Sequence, residues 1–279
     1  MKKIYQAIGL ISLLCFSFFL TEQTAIVIKN MDDIMISIND NKDNYTKNSI
    51  DAIIKADTII PGICERNVNV SKSYKLMKNS GYYSDKLFVY NYKLPNVSIS
   101  DNKDKYIIKG NKEKRYIGLT FLVKDNTNIN NILKIVNNYN IKVTFFVNYN
   151  WFINNTKLVS SIIEQGHNIG MIYTNYNDIE WMNIIIKRIN NQVNGFCYNK
   201  DKNIDYLKQC IEYENYSIIP IEITSTNPLY DIKQNIESGN IYIFNINRKL
   251  EYELSTIIIT IKSKGYEMTN MEQLIDEKY

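Results

Sequence analysis

Apolar and polar residues alternate in two ways in the second half of this chain. Short apolar runs, rich in β-branched and aromatic residues, predict strands at 116–123, 142–147, 168–172, 217–223 and 241–246. Between them, apolar residues recur every three or four positions, which predicts amphipathic helices. The predicted helices lie around 129–136 and 158–163 and over 178–191, 204–213, 229–236 and 251–264.

The regular exchange of strand and helix patterns predicts an α/β fold. Strands joined through helices run parallel, so the sheet is either open or closed into a barrel. In both forms, ligands bind at the carboxyl ends of the strands. Functional residues are therefore expected among those that end each predicted strand and in the loops that follow.

The segment before this pattern is polar and irregular. Pro61-Gly62 and Leu94-Pro95 interrupt it, and a single helix is predicted over 71–79. We interpret residues 25–114 as a stalk or lead-in segment and residues 115–279 as the folded domain. The sequence does not decide whether residues 25–114 also contain a separate small domain.

The amino terminus has the pattern of an export or anchoring segment. Lys2 and Lys3 precede an apolar run at 4–20, and no small-residue cleavage motif follows it. At roughly 17 residues the run is just long enough to span a bilayer. The pattern favours an uncleaved membrane anchor within residues 1–24 over a signal peptide. The lysines would remain inside, which places the rest of the chain outside the cytoplasm.

Composition and charge exclude several classes of function. The chain has 279 residues, a net charge of +4 and one histidine, His167. A catalytic zinc site built from two or three histidines is therefore excluded. The charges of both signs are interspersed, which is not typical of a nucleic-acid-binding surface. The 39 asparagines and 48 isoleucines indicate AT-rich coding DNA, so tyrosine and lysine abundance carries little functional information.

The four cysteines, Cys15, Cys64, Cys197 and Cys210, have no CxxC or metal-ligand spacing. Cys197 and Cys210 are near enough in sequence to approach each other in a fold. Spacing alone does not decide whether they form a disulfide.

Several segments, in one collinear order, resemble the polysaccharide deacetylase (NodB homology) family. Residues 139–147, YNIKVTFFV, are similar to that family's YNIKATFFV strand, and residues 166–170, GHNIG, to its GHEIG. Lys264-Gly265-Tyr266 resembles the closing KGY. Upstream, residues 60–62 and 67–74 resemble the lead-in of a membrane-anchored subgroup found in spore-forming bacteria. The resemblance covers roughly residues 61–278.

This resemblance implies a distorted (β/α) barrel and, in active members, N-deacetylation of N-acetylglucosamine polymers. Such members use a divalent metal such as zinc, held by one aspartate and two histidines, and a second aspartate as the base. The metal lowers the pKa of its bound water and stabilises the oxyanion that forms.

At every chemical position of the family this chain has a different residue. The two aspartates of TFDDG correspond to Leu122 and Val123, and the histidine ligands to Ile172 and Tyr176. The metal-ligand positions are thus Val123, Ile172 and Tyr176. Cys197-Tyr198-Asn199-Lys200 stands where the family has RPPYG. Thr224 replaces an aspartate at a strand end, and Asn245 replaces a histidine near the end of the domain.

The resemblance therefore implies a protein of the cell envelope that has lost metal binding and deacetylase activity. We expect no cofactor and no nucleic-acid partner, and we expect a glycan-binding or structural role at peptidoglycan or another N-acetylglucosamine polymer, with membrane attachment through the amino terminus. A role in sporulation follows only from the subgroup. The alternative is an active carbohydrate N-deacetylase with a non-standard site.

That alternative would use Asp125, Glu222 or His167, although each has a simpler interpretation. Asp125 is typical of an exposed turn, Glu222 lacks an evident carboxylate partner for acid/base catalysis, and His167 is more consistent with packing or capping. Aromatic residues near strand ends are the candidates for stacking on sugar rings. They are Trp151, Tyr173, Tyr176, Trp181 and Tyr198.

Overall fold

The computed structural model describes residues 11, 16–19, 21, 30–125, 127–173, 175–190, 195–224 and 226–278, with backbone only for Tyr176, Asn177 and Asn190. Most of the predicted anchor at 4–20 lies outside these residues. No helix within the described ranges is both long enough and apolar enough to cross a bilayer.

The chain divides into two compact units. The smaller unit contains the described residues of 30–48 together with 65–93, and the larger unit contains 49–64 and 94–278. The predicted boundary at 114/115 therefore differs from the structure, because two stretches of the expected stalk belong to the larger unit. Their short strands pair with the main sheet.

The smaller unit consists of two helices and a two-stranded antiparallel sheet. Its elements are α1 (Asp33–Asn41), β3 (Glu65–Val68), α2 (Val70–Ser80) and β4 (Tyr90–Lys93). Ile38, Met77 and Phe88 form its buried cluster. The predicted helix at 71–79 is confirmed as α2, which Asn69 caps by accepting a hydrogen bond from Lys72 N.

The larger unit alternates strands and helices, as the sequence pattern predicts. Its strands are β1 (Ile53–Lys55), β2 (Thr58–Ile60), β5 (Tyr106–Ile107), β6 (Tyr116–Val123), β7 (Thr144–Val147), β8 (Asn168–Ile172), β9 (Phe196–Tyr198), β10 (Tyr216–Ile218), β11 (Ile221–Ile223), β12 (Ile241–Asn245) and β13 (Glu267–Thr269). Its helices are α3 (Asn130–Asn138), α4 (Tyr149–Asn154), α5 (Thr156–Glu164), α6 (Tyr176–Asn190), α7 (Ile204–Glu212), α8 (Pro228–Gln234), α9 (Arg248–Ser263) and α10 (Met271–Ile275).

Within the described ranges these strands form one sheet, in the order β1-β2-β5-β10-β9-β8-β7-β6-β12-β11, with β13 also on β6. All pairs are parallel except β1 with β2. The predicted strand at 217–223 is two strands, β10 and β11. Pro220 lies between them and cannot donate a ladder hydrogen bond.

The sheet is curled into a half-barrel with apolar residues on both faces. The outer face packs against the helices through residues such as Phe121, Phe145 and Phe244. One cluster on the inner face contains both Ile107 of β5 and Ile243 of β12, although five strands lie between these two in the sheet order. This inner cluster fills the barrel and leads to the carboxyl ends of the strands.

The lead-in segment and the carboxyl terminus meet at a buried carboxylate. Glu277 is 5% exposed and accepts hydrogen bonds from Gly62 N (2.8 Å), from Ile99 N (3.2 Å) and from the Ser98 hydroxyl. A Cβ atom at Gly62 would lie 2.4 Å from the Ile50 carbonyl oxygen, so only glycine fits there. The Pro-Gly of the lead-in is therefore a packing feature of the barrel.

Candidate functional site

Apolar side chains line the inner face of the sheet near the carboxyl ends of its central strands. Leu122 of β6 is paired with Phe146 of β7, and Ile172 of β8 is paired with Tyr198 of β9. All four belong to the inner cluster, with Phe146 buried and the other three half-buried. The structure therefore brings Leu122 and Ile172 together on one apolar surface.

A phenylalanine ring occupies the centre of this surface. Phe146 lies opposite Gly170 of β8, and a Cβ atom at Gly170 would come within 2.5 Å of the Phe146 ring. The ring centroid lies 5.7 Å from that of Tyr198 in a tilted arrangement. The glycine thus makes room for the aromatic ring.

A polar cluster lies across the open side of the half-barrel. The Tyr198 hydroxyl donates to Glu222 Oε1 at 2.8 Å, and Lys200 Nζ donates to Glu222 Oε2 at 2.6 Å. Lys200 and then Tyr198 lower the pKa of Glu222, while burial is the main cause that raises the pKa of Tyr198. Glu222 is therefore a paired, ionised carboxylate, which makes it a poor general base.

Val123 does not share the inner face. It is fully buried in the outer cluster, among side chains that pack against the helices. Successive side chains of a strand point to opposite faces, so Leu122 and Val123 point in opposite directions. The assignment of Val123 to a metal-ligand position stays a prediction from the resemblance, and its side chain points away from the inner face.

Two other degenerate positions lie at strand ends and are exposed. Asn245 ends β12 and is paired with Leu122 of β6. Thr224 follows β11, and both its backbone N–H and its hydroxyl donate to Asp231 Oδ2, at 2.9 and 2.5 Å. Asp231 therefore supports the backbone turn that follows β11.

The described side chains at this end of the sheet do not fit a divalent metal. Leu122 and Ile172 offer no donor atoms, and hard or borderline cations need oxygen or nitrogen ligands. No group of three histidine, cysteine, aspartate or glutamate side chains suitable for a metal occurs among the described residues. The side chain of Tyr176 lies outside them.

The single histidine lies at the opposite end of the barrel. His167 immediately precedes β8 and is 1% exposed. Its Nδ1 accepts a hydrogen bond from Val143 N at 3.2 Å, and its Nε2 lies 3.1 Å from Asn137 Oδ1. Because Nδ1 is the acceptor, the proton of the neutral ring lies on Nε2 and is donated to Asn137. Burial, followed by Lys142, lowers the pKa of His167 to about 4.

His167 is therefore a neutral packing residue at the amino ends of the strands, as the simpler interpretation holds. The proposed alternative use of His167 as a general base has no geometric support. Asp125, another candidate, is exposed and accepts a hydrogen bond from Asn148 Nδ2 at 2.9 Å. The three candidate substitutes, Asp125, Glu222 and His167, are each engaged in separate interactions.

The candidate glycan-stacking residues differ in exposure. Trp151 is 4% exposed, and its indole N–H donates to Thr127 O at 3.1 Å, so its ring faces are not available for stacking. Trp181 on α6 is 56% exposed and Tyr173 is 42% exposed, the latter resting on the Tyr206 ring. Tyr198 is half-buried and already packed at a tilt against the Phe146 ring. Trp181 and Tyr173 retain accessible aromatic surface.

A disulfide lies directly behind the inner-face surface. Cys197 of β9 and Cys210 of α7 are joined, with 6.5 Å between their Cα atoms, and both are fully buried. Cys64 is a buried free thiol. Cys197 precedes Tyr198, so the bond ties the strand that carries this tyrosine to the helical layer.

Comparison with known proteins finds similarity to one family model and to one curated protein. The model of a family described as polysaccharide deacetylase matches residues 109–195. The uncharacterized protein YlxY of Bacillus subtilis (strain 168) is 26% identical over 249 residues, which span 78% of this chain and 75% of the relative.

Solved structures extend the similarity to nearly the whole chain. BA3943 of Bacillus anthracis, described as a CE4 family pseudoenzyme, has a TM-score of 0.63 at 21% identity, covering 89% of this chain and 96% of that protein. A mutant of BA3943, described as having restored enzymatic activity, has the same TM-score and identity, with 88% and 99% covered. Bacillus subtilis PdaA, a family 4 carbohydrate esterase, has a TM-score of 0.52 at 19% identity, with 61% and 84% covered. These similarities establish the half-barrel fold.

Proposed function

We propose that this chain is a divergent relative of the polysaccharide deacetylases and acts as a non-catalytic, glycan-binding or structural protein of the cell envelope. One observation carries the proposal. Leu122 and Ile172, which the resemblance assigns to the positions of a catalytic carboxylate and a metal-binding imidazole, pack with Phe146 and Tyr198 in an apolar cluster. Such a surface neither retains a divalent cation nor activates water.

The polar residues near this surface support the same proposal. Glu222 is ionised and held by Lys200 and Tyr198, so this carboxyl group is not poised to exchange a proton near neutral pH. Similarity to a protein described as a pseudoenzyme is consistent with loss of activity, but at 21% identity it establishes only the fold.

The proposed location is outside the cytoplasm. The buried disulfide between Cys197 and Cys210 supports it, because structural disulfides persist mainly in oxidising compartments. The proposed partner is an N-acetylglucosamine-containing glycan such as peptidoglycan. A similar fold in the Bc1960 peptidoglycan N-acetylglucosamine deacetylase (TM-score 0.53, 19% identity) is consistent with this class of ligand.

An acetate-release assay tests the loss of activity. The full chain, supplied with excess Zn²⁺, is incubated with chitotetraose and with purified peptidoglycan, and its metal content is measured after desalting. We expect no acetate above the blank and less than stoichiometric metal. Metal-dependent release of acetate, abolished by Asp125→Asn, Glu222→Gln or His167→Asn, would instead establish the alternative of an active deacetylase.

Co-sedimentation with purified peptidoglycan tests glycan binding. We expect the full chain to pellet with peptidoglycan and Trp181→Ala to pellet several-fold less, because exposed aromatic rings stack on sugar faces. Tyr252→Ala is the matched control, since Tyr252 is an 84% exposed aromatic residue on α9. Failure of the unaltered chain to pellet would overturn the glycan-binding part of the proposal.

A further inference from the structure

A polar cleft lies beside the barrel, at the carboxyl ends of β6 and β7. It has a volume of about 650 Å³, within the range of roughly 300–1,000 Å³ that is typical of small-ligand sites. The loop after β6 forms one wall, and α4 with the start of α5 forms the other. The lining residues are Asp125, Thr127, Asn128, Ile129, Asn130, Asn150, Trp151, Asn154, Asn155 and Leu158.

Hydrogen bonds fix the two walls relative to each other. Trp151 on α4 donates its indole N–H to Thr127 O at 3.1 Å, and Asn148 donates to Asp125 Oδ1 at 2.9 Å. The loop is further held by a 3.2 Å bond from Lys124 N to Thr127 Oγ1. A cleft with fixed walls does not have to be ordered when a ligand binds, which favours affinity.

The chemistry of the lining indicates a neutral, hydroxyl-rich ligand. Five of the ten lining residues are asparagines, and Asp125 is the only charged one. Each side-chain amide offers two donors and an acceptor, which suits sugar hydroxyl and N-acetyl groups. Anionic ligands are disfavoured, because the lining has a carboxylate and no basic side chain. The half-buried Leu158 supplies apolar surface for the hydrophobic face of a sugar ring.

The outer lining carries exposed side-chain amides, some of which already hydrogen-bond within the wall. Asn128, Asn130, Asn150 and Asn154 are exposed. Asn154 Nδ2 donates to Asn150 O, and Asn128 Oδ1 accepts from Asn130 N. No hydrogen bond from the side chain of Asn150 to another described residue is present. The Asn150 amide is therefore the lining group best placed to bind a ligand.

From this geometry we infer that the cleft between the β6–α3 loop and α4 is a saccharide-binding site, separate from the inner-face surface around Leu122 and Ile172. Its ligand is a neutral sugar bearing hydroxyl and N-acetyl groups. Asn150 and Asp125 provide its main polar contacts, and the buried Trp151 holds the loop wall through its hydrogen bond to Thr127 O. This inference rests on the proposed glycan-binding function and adds the location of the binding site.

Titration of the isotopically labelled full chain with chitotetraose tests the assignment by NMR. We expect amide shifts concentrated at residues 125–130 and 150–158. We also expect Asn150→Ala and Asp125→Ala to weaken binding at least five-fold. Asn138→Ala is the matched control, because Asn138 is an exposed asparagine at the far end of α3. Thermal unfolding of each variant verifies that it is folded.

The outcomes separate the cleft from the broader proposal. Shifts around Leu122, Ile172 and Tyr198 with none in the cleft would overturn the cleft assignment and leave glycan binding intact. Chitotetraose without effect on a chain that still pellets with peptidoglycan would also overturn it. If chitotetraose caused no shifts and the chain did not pellet with peptidoglycan, the cleft assignment and glycan binding would both be overturned. Equal weakening by Asn138→Ala would mean that the effect is not specific to the cleft.

Discussion

The Tyr198 hydroxyl donates a 2.8 Å hydrogen bond to Glu222, and this bond joins β9 to β11, strands that lie at distant places in the sheet. Residues this far apart in the sheet meet only because the sheet curls. The contact, reinforced by Lys200, closes the open side of the half-barrel. It therefore occupies the end of the barrel at which related folds place their ligands.

We expect Tyr198→Phe to lower the free energy of unfolding by about 1 kcal/mol, because it removes one partly exposed hydrogen bond to a carboxylate. Denaturant unfolding measures the change. Combining it with Glu222→Gln in a double-mutant cycle isolates the pair, and a coupling energy near zero would contradict the contact.

Replacing Leu122 tests whether the inner-face surface is apolar and packed. Leu122→Asp should lower the free energy of unfolding by roughly 2 kcal/mol, since an unpaired carboxylate would enter a cluster of hydrophobic side chains. Leu122→Met conserves volume and should cost less than about 1.5 kcal/mol. Equal stability of Leu122→Asp and the unaltered protein would show that the side chain faces water.

The pKa of His167 predicts a specific dependence of stability on pH. The pKa is about 4 in the folded chain, below the ordinary value of 6.5, because the ring is buried. As the pH falls, the unfolded state takes up the proton first. The contribution of the neutral histidine to stability is therefore complete above pH 6.5 and is lost progressively between pH 6.5 and 4.

The size of this loss is about 3 kcal/mol, at about 1.4 kcal/mol for each pH unit. Denaturant unfolding across this pH window, for the unaltered protein and for His167→Asn, measures the loss as the difference between their two pH profiles. The carboxylates titrate equally in both proteins, so their contribution cancels. NMR of the single imidazole gives the midpoint directly. A midpoint near 6.5 would refute the buried, neutral state of the ring.

Removing the disulfide should destabilise the larger unit. Cys197 and Cys210 are 13 residues apart, and a loop of this length corresponds to roughly 3 kcal/mol in the chain-entropy model. The double variant Cys197→Ala/Cys210→Ala should show this loss in denaturant unfolding. Peptide mapping without reductant checks the bond, and recovery of both peptides unlinked would contradict it.

Glu277 offers a test of the link between the two ends of the barrel unit. Glu277→Ala should lower stability by on the order of 3 kcal/mol, because Gly62 N and Ile99 N would remain buried without acceptors. Glu267→Ala is the matched control, since Glu267 is an exposed carboxylate on β13. A similar loss in both variants, measured by denaturant unfolding, would argue against a special role for Glu277.

Periodicity predicted the core strands and helices well where local pattern and tertiary burial agree. The strand at 116–123 is confirmed to the residue, and the helix at 204–213 is Ile204–Glu212. The predicted start of the helix at 251 was late. Asn247 caps it by accepting a hydrogen bond from Leu250 N, and Arg248, Lys249 and Leu250 form its first turn.

Contacts between distant segments were not predictable from the sequence. In the sequence, residues 53–60 and 106–107 have the pattern of an irregular stalk. Each strand there is only two or three residues long, and pairing with the main sheet is what stabilises it. The Tyr198–Glu222 contact depends on the curl, and the disulfide on how α7 packs on β9. The replacement of the family's chemical residues, by contrast, is a prediction that rests on the motifs alone.

The carboxylate of Glu277 also bears on how the protein is made. It supplies acceptors for backbone N–H groups that lie 215 and 178 residues earlier in the chain. Those groups have no carboxylate to bind until Glu277 has been synthesised, so the barrel unit completes its packing late in translation. A chain interrupted before Glu277 would present an incompletely packed barrel to the cell's quality-control proteases.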